Sequence, residues 1–238
     1  MSKIYRESLR YFVATFPLLL GIGAFIEILL WVLQPRSDTA TTVALIILAY
    51  YFHRHFLFGE SFTFRSHQPA AGAPPFRFGW FMLISIGMVL LPVAIALTLT
   101  FTMVADHSQG TLLLFLFPTY LLVLGLFGTA LPAAVARDGT YRLSQGLRVA
   151  LPTMGKLILG PGLVGLILLV ATLVAAHALT TLGIAEDSPV TLALNIAIRT
   201  MGFLTTILAV AVLCQMYQGT RPPAQSAPMS GPPVPHPE

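Results

Sequence analysis

The sequence predicts an all-α, polytopic membrane bundle of six helices, and three observations carry that prediction. The chain is 56% hydrophobic and only 9% charged, whereas a soluble domain carries roughly 25% charge. Its apolar residues fall into six long stretches, and a helix needs about 20 such residues to cross a hydrocarbon core. Of the 13 Lys and Arg residues, all but Arg36 and Arg199 lie in alternate gaps. Lys3, Arg6 and Arg10 precede the first stretch, and Arg54, Arg65 and Arg77 lie around the junction of the second and third. Arg137, Arg142, Arg148 and Lys156 separate the fourth from the fifth, and Arg221 follows the sixth. Lys and Arg stay on the cytoplasmic side during insertion, so both termini are expected on the cytoplasmic side of the plasma (inner) membrane.

The first span is expected over residues 11–33. A basic start precedes it, but the apolar run is longer than that of a signal peptide and lacks a small-x-small cleavage site, so it reads as a retained helix. The second span, 39–58, is strongly apolar only as far as Tyr51. It reaches full length by running through His53, Arg54 and His55, whose polar ends are expected to snorkel to headgroups. The aromatic run FHRHFLFGESFTFRSH then reads as interfacial, followed by a Pro/Gly turn and the Trp80 anchor of the third span, 78–103.

The fourth span, 111–135, carries Gly125, Thr129 and Ala133 at four-residue spacing, and Gly160, Gly162 and Gly165 open the fifth, 157–181. Small residues at such positions let helix backbones approach. The sixth span is expected over 190–216. Pro17, Pro92, Pro118 and Pro161 lie inside spans, where each frees a backbone carbonyl and invites a kink. Residues 1–217 thus form one transmembrane domain. The tail 218–238, rich in Pro, Ser and Gly, is expected to be disordered. The single Cys214 cannot form an internal disulfide.

Between the fourth and fifth spans runs LPAAVARDGTYRLSQGLRVALPTMGKLILGPG. Leu143, Leu147, Val149, Ala150 and Leu151 set against Arg142, Gln145 and Arg148 predict a short amphipathic helix on the cytoplasmic face. A proline ending a span, Asp138 with Gly139, and the segment SQGLRVALPTMGKLIL leading into a glycine-rich span resemble the YciC-like family of six-helix bacterial membrane proteins. They also resemble the membrane domain attached to some glycerophosphodiester phosphodiesterases. The resemblance covers about residues 130–170. It implies the same six-helix architecture in a bacterium and supplies no catalytic residue.

Two ionisable side chains interrupt the spans. Glu27 lies about six residues from the outer end of the first span and Arg199 about nine residues into the sixth, depths of roughly 9 and 14 Å at 1.5 Å per residue. A lone charge near the bilayer centre costs about 2.5–3.5 kcal/mol, so an ion pair between Glu27 and Arg199 is expected. Thr191, Asn195 and Thr206 share the face of Arg199 and are expected to form a polar stripe facing the bundle. The pair serves either as a structural clamp or as part of an ion, proton or anion pathway.

Arg137, Arg142, Arg148 and Lys156 are expected to contact lipid headgroups. His53 and His55, two apart, point away from each other on a helix and read as solvated interface histidines. No metal or cofactor site is expected, no histidine pair at matched depth offers axial ligands to a haem, and no intramembrane protease motif occurs. The basic residues border the bilayer, so the expected partners are membrane lipids and other membrane-protein subunits rather than nucleic acid. The leading functional expectation is a non-enzymatic accessory, assembly or scaffolding subunit of a larger membrane complex. A small-solute or ion transporter or channel, and a lipid-handling protein at the cytoplasmic face, stand as alternatives.

Overall fold

A computed structural model describes residues 3–33, 39–62, 67–68, 70, 72–103, 109–185 and 188–220. Arg36, Arg65, Arg221 and the tail from 221 lie outside the described residues, as does the side chain of His67. The described residues form helices, one short pair of strands and the segments that connect them. In order come α1 (Lys3–Leu33), α2 (Thr39–Phe58), β1 (Ser61–Phe62), β2 (His67–Gln68), α3 (Gly79–Met103), α4 (Gln109–Phe127), α5 (Ala130–Ala136), α6 (Leu143–Arg148), α7 (Ala150–Leu157), a π-helical turn (Ile158–Gly162), α8 (Leu163–Thr181) and α9 (Pro189–Thr220). β1 and β2 pair antiparallel, Ser61 opposite Gln68.

Among the described residues, 5 helices are long and apolar enough to cross a membrane, and a sixth arises if the bent pair Phe115–Phe127 and Ala130–Ala136 is one span. The fourth span is therefore not the continuous helix expected over 111–135: it turns by 47°. Pro132 accounts for the bend. It has no N–H to give to the carbonyl of Gly128, which instead accepts the shorter-range bond from Leu131 N at 3.1 Å. Gly128 itself tolerates no side chain, since a Cβ there would lie 2.3 Å from Leu124 O and 2.6 Å from Leu213 Cδ2.

Pro161 has a different outcome. Its ring would clash with the carbonyl four residues back, and the helix widens into the π turn instead of bending away. The Tyr5 hydroxyl donates to the Lys156 carbonyl at 3.0 Å, and the Tyr5 ring fills the space beside Gly160, where a Cβ would sit 2.6 Å from it. A neighbouring helix thus satisfies the backbone that the break exposes. Two further differences from the sequence reading are local. α1 begins at Lys3, and residues 218–220 complete the last turn of α9 instead of opening the tail.

α2 and α9 occupy the centre. On α2, Ile46 and Tyr50 join a core with Phe81, Val123, Leu131, Leu157 and Val212, while Leu48 and Phe52 join a second core with Tyr11, Leu19, Phe203 and Ile207. Residues two apart on a helix face opposite sides, so α2 is buried on both flanks and needs no polar face. Burial concentrates at the end of the bundle that carries the N-terminus, called here the proximal end. There the start of α1, the end of α2, α5 to α7 and the end of α9 meet. α8 lies at the periphery and buries no residue.

Candidate functional site

Charged and polar side chains gather in two places. Toward the distal end, Arg199 Nε of α9 donates to a carboxylate oxygen of Glu27 on α1. Glu27 is buried, and the Arg199 side chain retains 20% exposure. Gly23, one turn before Glu27, makes the approach possible: a Cβ there would lie 2.9 Å from Thr200 Oγ1. Thr200 is buried and donates to the Ile196 carbonyl at 2.7 Å.

The residues of the expected polar stripe, Thr191, Asn195 and Thr206, differ in their surroundings. Asn195 is exposed and, with Thr191, borders a cleft of about 150 Å³ between α8 and α9 whose α8 wall holds Thr172, Ala176 and Thr180. Thr191 is occupied at the loop, donating to Ala185 O at 3.0 Å. Thr206 is half-buried, with its hydroxyl on its own helix at Gly202 O, 3.5 Å away. Of the buried residues of α9, Thr200, Phe203, Ile207, Val210 and Cys214 share one face. That face is rotated by one residue, about 100°, from the one carrying Asn195 and Arg199. Arg199 reaches Glu27 because its side chain is long enough to cross the difference.

The proximal cluster centres on Arg54. Its Nε and Nη2 donate to the two oxygens of Glu60, each at 2.5 Å, and its Nη1 donates to Pro74 O at 3.0 Å. The side chains are 3% and 2% exposed. The rings of Tyr50, Phe58 and Phe76 stand 5.9, 5.5 and 5.6 Å from the guanidinium carbon. This is a bidentate pair in an aromatic cage, not a snorkelling interfacial cation. Gly59, at φ +73°, reverses the chain so that Glu60 comes back onto the helix it has just left.

The neighbouring histidines are held by protein groups, His53 buried and His55 half-buried, where solvated ones were expected. His53 is buried with Nδ1 on Ala49 O at 2.7 Å. His55 stacks on Tyr11 with ring centroids 3.8 Å apart, and its Nδ1 donates to Glu60 O at 2.7 Å. The sequence signal that could have found this cluster is RHFLFGE, an arginine followed by a glycine turn and a glutamate.

A second polar knot ties the α5–α6 connection to α9. Asp138 accepts from the Tyr217 hydroxyl at 2.7 Å and, through its other oxygen, from Thr140 N and Oγ1 at 3.0 and 2.6 Å. The hydroxyls of Tyr141 and Thr129 are 2.8 Å apart. Burial pushes the Tyr141 phenol above its ordinary pKa, opposed by its hydrogen bond to Thr129.

Of the four cations expected at headgroups, two have protein partners. Arg137 Nη2 donates to Pro75 O at 2.7 Å, and Lys156 Nζ donates to Gln215 Oε1 at 3.0 Å. Arg142 and Arg148 are exposed. Arg137 also ends α5 in the left-handed region, φ 53°, with its N–H on Ala134 O and that of Asp138 on Ala133 O, the pattern of a Schellman cap.

Glu27 and Glu60 thus each already accept from an arginine, and Glu7 lies 3.8 Å from Lys3 Nζ. Among the described residues, no three His, Cys, Asp or Glu side chains are grouped to hold a metal ion. No protein-family model, curated protein or solved structure matches the chain.

Proposed function

We propose that this protein is a non-enzymatic integral component of a bacterial plasma membrane, acting as an accessory, assembly or scaffolding subunit of a larger membrane complex. In this reading six spans cross the bilayer, with the bent α4–α5 pair as the fourth, and both termini are cytoplasmic. The topology draws support from the gathering of Lys3, Arg137, Arg142, Arg148 and Lys156 around the proximal end, the side on which Lys and Arg are retained. The subunit role is carried by one observation: the two buried arginine–carboxylate pairs join helices or close a turn of this same chain. Charges used as clamps fix helix order, and Glu27 and Glu60 are each already engaged by an arginine. The bare α8 is consistent with that role, offering apolar surface on its flanks to a neighbouring subunit.

The cleft beside Asn195, one helical turn from Arg199, is the feature that favours transport as a second reading. Purification in mild detergent separates the two. A stoichiometric membrane-protein partner, lost when α8 residues such as Leu166 and Val170 are replaced by bulky Trp, supports the subunit reading. A monodisperse species of this chain alone, with solute flux in liposomes that falls in Asn195→Leu, supports transport and overturns it.

A further inference from the structure

Three leucines on the proximal end are exposed. Leu143 and Leu147 of α6 are 47% and 46% exposed, and Leu151 at the start of α7 is 81% exposed. Their four-residue spacing places them on one side of a nearly continuous helical segment. Arg142 and Arg148 bracket α6, both exposed, and neither side chain has a carboxylate or carbonyl partner among the described residues. The segment is nevertheless held rigidly to the bundle. Gly146 is buried so closely under Tyr141 and Thr129 that a Cβ would lie 2.4 and 2.5 Å from their hydroxyl oxygens. Gln145 Oε1 accepts from Arg142 N at 3.1 Å, fixing the helix start.

We infer that α6 and the first turn of α7 form a docking surface for an anionic phospholipid, with its acyl chains along Leu143, Leu147 and Leu151 and its phosphate between Arg142 and Arg148. The occupant follows from charge complementarity. A guanidinium matches the fork of phosphate oxygens, and an apolar stripe with an exposed cation at each end of α6 fits a molecule that is anionic at one end and hydrocarbon at the other. A free phosphate would leave the leucines unused, and a zwitterionic lipid would set its ammonium against the arginines. Arg137 and Lys156 are committed to Pro75 and Gln215 and play no part. The inference does not depend on the subunit reading and is tested separately from it.

Titration of the detergent-purified full chain with dioleoyl phosphatidylglycerol, followed by native mass spectrometry, tests the site. Binding is expected to be at least tenfold tighter than for dioleoyl phosphatidylcholine and unaffected by millimolar inorganic phosphate. Each arginine near an anionic lipid contributes about fivefold, so R142Q/R148Q should weaken binding roughly 25-fold with an unchanged melting temperature. R142K/R148K should restore most of it. L143S/L147S should weaken binding with the arginines intact. The double variant R6Q/R10Q, which removes exposed cations elsewhere on the proximal end, should bind as wild type. Equal affinity for the two lipids, displacement by phosphate, wild-type binding by R142Q/R148Q, or an equal loss in R6Q/R10Q would each overturn the proposal.

Discussion

The two arginine–carboxylate pairs make the same chemical contact in opposite circumstances. Arg54 and Glu60 are six residues apart, joined by two hydrogen bonds and enclosed by aromatic rings at 3% and 2% exposure. Glu27 and Arg199 are 172 residues apart, joined through Nε, with the arginine side chain 20% exposed. The first pair closes a turn and, with the bond from Arg54 to Pro74 O, holds Glu60 and Pro74 against α2, whereas the second ties the first helix to the last. A local pair can be desolvated completely because its geometry is set by a short stretch of chain. A pair between distant helices keeps some slack, because two packed surfaces must first find their register.

That contrast orders the expected effects of mutation. The largest is Arg54→Ala, which leaves the Glu60 carboxylate buried without its partner and should cost about 3–5 kcal/mol, read as a lowered midpoint in detergent unfolding. The double variant R54M/E60M should recover most of that loss. A double variant no more stable than Arg54→Ala would mean that the pair holds the turn in a way apolar packing cannot replace.

Glu27→Gln comes next. It leaves Arg199 with a neutral acceptor and some exposure, so a loss of about 1–3 kcal/mol is expected. A melting profile identical to wild type would remove the clamp from the account of the bundle. Gly23→Ala should cost on the order of 1 kcal/mol by pushing Thr200 away from α1. In a double-mutant cycle with Glu27→Gln the two should be less than additive, since both loosen the same α1–α9 approach. Strict additivity would show that the close approach and the ion pair are independent.

The smallest effect belongs to Arg137→Gly at the α5 cap. Glycine relieves about 1 kcal/mol of left-handed backbone cost but gives up the hydrogen bond to Pro75 O, worth about 0.5–1.5 kcal/mol. Near-cancellation is expected in the unfolding midpoint. A clear loss would show that Arg137 anchors Pro75 as Arg54 anchors Pro74.

The positions of Glu27 and Arg199 were legible because a charge inside an apolar run stands out against its neighbours, and a depth within reach of a long arginine side chain names its partner. Arg54 was not legible, since an arginine amid aromatics at a span end has the composition of an interfacial anchor. Only the reversal at Gly59 shows that Glu60 returns to meet it. Asn195 was read as bundle-facing on helical spacing alone. Spacing tells which residues share a face, but the neighbouring helices decide which face is covered, and on α9 the covered face is that of Thr200, Phe203 and Ile207.

The sequence by itself determined that this is a helical, membrane-embedded chain, roughly where its helices run and which two charges sit within the apolar stretches. Those properties are local: they follow from the length and composition of contiguous segments. Tertiary structure alone decided that the chain bends between α4 and α5 ahead of Pro132 while Pro161 is absorbed into a π turn, that α2 is buried on both flanks while α8 buries no residue, and that Arg54 is caged while Arg142 and Arg148 are exposed. In each case the outcome depends on a group far away in the chain, such as Tyr5 beside Gly160 or Leu213 against Gly128, and no local pattern records its arrival.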